Sequence, residues 1–136
     1  MSKRLLPYIF LFVAAVSAVS CADDKERAVK VGDKFVKAFL VDVDFNVLIR
    51  HAVGEAARNV KSEYEKLGAD GVAEMKRNAQ EAKVRYKLNE QKSIFGKSCV
   101  HLVYDVSVGP DYDGIYNVEL ELLGYGGKWH VSFYAL

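Results

Sequence analysis

Proline is scarce in this 136-residue chain, with two copies, and so is cysteine, also with two. Low proline, no low-complexity tract and no internal repeat exclude a linker-rich or repetitive architecture and leave one compact unit. The two cysteines allow a single intramolecular bridge, Cys21–Cys99, which would tie a terminus to a distant strand and gain little. Charge of one sign is also missing: the formal balance is +1, so no strong field steers the protein to nucleic acid, and none is expected as a partner. The longest apolar run, Leu5 to Val19, falls short of the ~20 residues that a membrane-spanning helix needs.

That run has the shape of a leader instead. Lys3 and Arg4 form a positive start, Pro7 sits near the beginning of the apolar stretch, and Ala14, Ala15, Ser17, Ala18 and Ser20 collect at its end. Residues 1–20 therefore read as a secretory signal peptide, whose removal takes the formal charge from +1 to −1. Two processing routes stay open. Small residues at Ala18 and Ser20 suit ordinary cleavage after Ser20, giving a soluble periplasmic or secreted product. Ala18-Val19-Ser20-Cys21 resembles, at its last three positions, the bacterial lipobox, which implies acylation of the first mature residue. A free thiol in a secreted chain invites oxidation, so Cys21 is the expected lipidation site. Residues 21–26 become a lipidated Cys and short polar tether, the membrane becomes a partner through that anchor, and the expected address is the bacterial cell envelope at the outer membrane.

About 115 residues remain, enough for one domain over 27–136 with a single core. Ala28, Val31, Phe35, Ala38 and Phe39 follow helical spacing, and Asp42 closes the run. Arg27, Lys30, Lys34 and Lys37 stripe another face; Glu26 and Asp33 are spaced to pair with Lys30 and Lys37, so this reads as a solvated face, with anionic lipid near the anchor as the other use. Asp44 is placed to cap a short helix carrying Phe45, Leu48, Ile49 and Ala52. After Gly54, helical spacing resumes through Ala56, Val60, Tyr64 and Leu67 to Gly68, then Val72, Met75 and Ala79. Beyond Glu81 the period becomes two, in four runs around Val84–Leu88, Cys99–Val106, Tyr116–Leu122 and Lys128–Phe133. Helices gathered before an antiparallel meander predict an α+β fold, N-terminal helices on one face of a curved four-stranded antiparallel sheet.

Two stretches extend this. "FVKAFLVDVDFNVLI" (35–49) resembles the first helix and following turn of the nuclear transport factor 2-like superfamily, and "GKWHVSFYAL" (127–136) its final strand. With a lipoprotein leader, the chain is most similar to the bacterial group called domain of unknown function 4878. The resemblance implies a cone with a pocket between helices and sheet. The superfamily holds isomerases, hydro-lyases and many non-enzymatic binding domains, and often pairs through the open sheet face, where Val103 and Tyr134 would seed a homodimer. Fold alone does not choose among these.

The inward strand positions expected from the alternation include Tyr86, Tyr104, Tyr116, Trp129 and Phe133 among aliphatic residues, with no acid or base. Cone catalysis needs an ionisable base in an apolar interior, which would have to come from His51 or Asp44 on the helices. His51, one step from the buried stripe, reads as a half-buried histidine satisfied by backbone. The expectation is therefore a non-catalytic binding or interaction module without a cofactor, an isomerase or hydro-lyase being the alternative. Tyr86, Tyr104, Tyr116, Trp129, Phe35 and Phe39 form the candidate pocket for a small apolar ligand, against a filled core as the plainer outcome. Cys99, His101, Glu119, Glu121 and His130 share the outer face, but lack the tight spacing of a zinc site, and no metal is expected. "DYDG" (111–114) has calcium-like oxygens in what reads as a hairpin turn.

Overall fold

The first helix, α1, exists because an apolar stripe of period 3.6 can be buried along its length. Ala28, Phe35, Val36 and Ala38 are enclosed while Arg27, Lys30, Lys34 and Lys37 stay in solvent. The computed structural model describes residues 24–109 and 116–136; the leader, Cys21 and the 111–114 turn lie outside the described residues. Within the described residues α1 runs over 24–37 and widens into a π-helical turn at Ala38–Asp42. The turn ends at Val43, whose φ of 48° puts a β-branched, buried residue in left-handed backbone. Asp44 then caps α2 (Phe45–His51), its carboxylate accepting from the amides of Asn46 at 3.1 Å and Val47 at 3.3 Å.

α3 (Gly54–Ala82) is one long helix broken at Gly68, where φ 65° and ψ 179° leave helical space. Glycine tolerates that geometry, which is why the kink falls there. α3 packs on α2, on the π turn and on the last strand.

The sheet is antiparallel and has five strands rather than four: β1 (Val84–Leu88), β2 (Ile94–Phe95), β3 (Cys99–Val108), β4 (Tyr116–Tyr125) and β5 (Lys128–Ala135), in the order β1-β3-β4-β5 with β2 also on β3. The two-residue β2 has no alternation to show, so the sequence pattern reads it as part of a turn. Where β3 changes partner from β1 to β2, the link between them keeps the backbone satisfied. Asn89 N–H donates to Val103 O at 2.8 Å, and Val103 N–H donates to Ser93 Oγ at 3.0 Å. Val103 is thereby wrapped on the outer face and 4% exposed, which removes it as a seed for pairing. β4 and β5 join through Gly126-Gly127, φ 62° and 74°, the paired positive values of a type I′ turn.

β5 carries the main departure from strict alternation. Leu122 faces Val131 but Glu121 faces Phe133, so Ser132 is the extra residue of a bulge, and its hydroxyl donates to Glu121 O at 3.1 Å. Beyond it every side chain changes face. Phe133, expected inward, joins the outer row, and Tyr134, expected outward, is 8% exposed with its ring 5.6 Å from Phe35 and 5.4 Å from Phe39. On the far side of β5, Val53 N–H donates to Val131 O at 2.8 Å and Ala52 forms a parallel bridge, so the α2–α3 link blunts this sheet edge.

The core lies between the inner sheet face and the helices, and its closest approach is at Gly32. A Cβ there would fall on Leu102 Cδ1 and stand 2.7 Å from the Tyr104 hydroxyl. Because Leu102 and Tyr104 are fully buried, neither has free space to move into. Gly32→Ala is expected to lower unfolding free energy by ~1–3 kcal/mol, seen as a lower urea midpoint with unchanged slope. At the other end, the Trp129 ring lies across Gly124, 7% exposed. Trp129→Ala is expected to cost ~3–5 kcal/mol in the same measurement.

Candidate functional site

The six residues expected to line a pocket fall into three groups. Register sets Tyr86, Val106 and Tyr116 in one row of the inner face and Leu88, Tyr104 and Val118 in the next. The Tyr86 and Tyr104 rings meet edge to face at 6.2 Å. Phe35 and Phe39 instead cluster with Tyr134, while Trp129 sits at the opposite end of the sheet beside Gly124.

Tyr104 is wholly enclosed, and its hydroxyl donates to Asp33 Oδ1 at 2.7 Å. Asp33 is thus used by the sheet rather than by Lys37, whose Nζ stands 3.9 Å from Asp42. Burial first, then the hydrogen bond and the charge of Asp33, raise the Tyr104 pKa far above the usual phenol value; burial, Asp33 and Asp42 raise that of Tyr86. Burial and the Glu63 carboxylate do the same for Tyr134, whose hydroxyl closes no hydrogen bond of good geometry. These phenols are held protonated. They pack, Tyr104 also donates, and all three are poor bases.

A raised folded-state pKa means the stabilisation is complete below the unfolded phenol value of 10.0 and is lost as pH climbs above it. Denaturation curves should therefore weaken steeply above about pH 10, and Tyr104→Phe should blunt that loss. At neutral pH Tyr104→Phe should cost ~1–2 kcal/mol, and Asp33→Ala no less, because it strands the buried hydroxyl.

The outer-face residues are spread out. His101 Nε2 lies 4.0 Å from Glu119 Oε1, a cross-strand pair, and His130 faces Leu123 with its ring 5.2 Å from Tyr125. Cys99 is exposed at the start of β3, and partial burial of its sulfur and the Glu121 carboxylate raise its thiol pKa. Among the described residues no three His, Cys, Asp or Glu side chains converge as a ligand set.

What sequence reasoning underrated is the basic stripe of α1. α1 lies so that Arg27, Lys30 and Lys34 face Arg50 and His51 of α2 and Lys128 and His130 of β5 across an open cleft of about 400 Å³. Val31 and Trp129 give it an apolar part. His51 sits half-buried in it. Burial, then Lys34, Arg50 and His130, lower its pKa below 6.5, so the imidazole is neutral near pH 7. The sequence signal was there in Arg50-His51 and Lys128-Trp129-His130, but their meeting with α1 depends on tertiary structure.

With His51 depressed, its contribution to stability is intact above 6.5 and falls away as pH drops through the folded-state value, where the unfolded chain binds the proton more readily. Urea midpoints should decline as pH falls below 6.5, and His51→Asn should flatten that part of the profile.

Compared with known proteins, the chain matches no protein-family model and no curated protein sequence. Among the described residues no helix is long and apolar enough to cross a membrane.

Proposed function

We propose that this is a non-catalytic, lipid-anchored protein of the bacterial cell envelope, whose nuclear transport factor 2-like domain binds a small molecule at its outer surface. The order of elements supports the finer fold assignment: helices first, then an antiparallel sheet bent by a bulge and covered on its inner face. The observation that carries the functional reading is the filled interior. Phe35, Leu48, Leu102, Tyr104 and Leu120 are each at most 1% exposed, so the space in which a cone enzyme would hold substrate is occupied by packed side chains. Asp33, the carboxylate that reaches Tyr104, is itself exposed, and its partner hydroxyl is inaccessible. The cleft over α1, α2 and β5 lies outside that core and needs no catalytic base to hold a ligand.

Lipobox-like residues ending in Cys21 support the anchor. Mass spectrometry on protein extracted from its native membrane tests both halves of the reading. Denaturing spectra should show acyl additions on Cys21, and native spectra a retained small molecule. A soluble product beginning at unmodified Cys21 would contradict the anchor, and turnover of the retained molecule would contradict the non-catalytic reading.

A further inference from the structure

We infer that the cleft between α1, α2 and β5 is a site for a phosphate-type oxyanion carried on a small organic group. The inference rests on the outer-surface binding reading and names its ligand chemistry. Five permanent cations line one depression: Arg27, Lys30 and Lys34 from α1, Arg50 from α2 and Lys128 from β5. Among the described residues, no carboxylate is part of that lining. The chain as a whole is almost neutral at +1, so this is a local segregation of charge rather than a property of a basic protein.

Three elements distant in sequence bring these cations together. Lys30 and Lys34 are one helical turn apart on α1, Arg50 lies in the last turn of α2, and the I′ turn at Gly126-Gly127 presents Lys128. Guanidinium forks and ammonium groups approaching from several sides match an anion with several oxygens better than a single carboxylate, which one arginine satisfies. The volume of about 400 Å³ lies in the usual range for small-molecule sites and leaves room for an organic remainder against Val31 and Trp129.

The histidines fit the same role. His51 is held neutral by burial and by Lys34, Arg50 and His130, so an anion among those groups would stabilise its protonated form. His130 Nδ1 is buried with no hydrogen-bond partner, an unmet polar group beside the cations.

Two sources offer this chemistry, a soluble phosphomonoester and the headgroup of an anionic phospholipid. The test uses the full protein in neutral detergent, titrated with inorganic phosphate, with glycerol 3-phosphate, and with mixed micelles containing phosphatidylglycerol or phosphatidylcholine, at constant ionic strength. Binding is read by calorimetry and by the NMR titration of the His51 ring. Glycerol 3-phosphate should bind and move the His51 pKa upward if the ligand is soluble. Phosphatidylglycerol alone should do so if it is a lipid headgroup.

In either case Lys34→Gln and Arg50→Gln should each weaken binding by about tenfold or more, while Lys76→Gln on α3 should not. Absence of binding in every arm overturns the inference, as does equal weakening by Lys76→Gln, which would mean bulk charge alone. A different, phosphate-free molecule retained by the membrane-extracted protein would overturn the ligand class while leaving the binding reading in place.

Discussion

With no Cβ at Gly32, α1 lies on the sheet closely enough to leave no side-chain space between its backbone, Leu102 and the Tyr104 hydroxyl. One residue further on, Asp33 accepts a hydrogen bond from that hydroxyl at 2.7 Å, so close approach and hydrogen bond fix the helix at the same point. The rest follows geometrically. Phe35 and Phe39, one and two turns along, are set against Tyr134, and the opposite helix face carries Arg27, Lys30 and Lys34 toward Arg50 and Lys128. A tightly seated helix fills the inner face and, by the same placement, assembles the cleft outside.

That arrangement separates packing from chemistry. The inner tyrosines are burdened by desolvation and by nearby carboxylates, both of which keep them protonated. Their aromatic area stabilises the domain, and the Tyr104 hydroxyl is spent on Asp33. Among the described residues, the cations around His51 are open to solvent and converge on one cleft outside the core.

Much of the fold is legible in the residues because burial on one face imposes a period. The stripe Ala28, Phe35, Ala38 marks α1, the alternation Val100, Leu102, Tyr104, Val106 marks β3, and Asp44 announces α2 by its capping chemistry. What escapes are features without a period. β2 is two residues long, the π turn at Ala38–Asp42 adds a residue to the helical repeat, and the bulge at Ser132 reverses the faces of Phe133 and Tyr134. A one-residue slip of that kind exchanges core and surface, which is why Tyr134 reads as a pairing residue and is found against Phe35. The site was legible in its parts only. A basic stripe on one helix is ordinarily a solvated face, and only the docking of α1 beside Arg50 and Lys128 turns it into a cleft.

The central claim is that the interior is closed and ligand chemistry is outside it. The most direct measurement is a crystal structure of the protein purified from its native membrane, inspected for co-purified density. The account predicts density among Lys34, Arg50 and His51, with Gly32 still seated against Leu102 and Tyr104. Density between α1 and the sheet, parting Gly32 from Tyr104 and lying against Tyr86 and Tyr116, would contradict it.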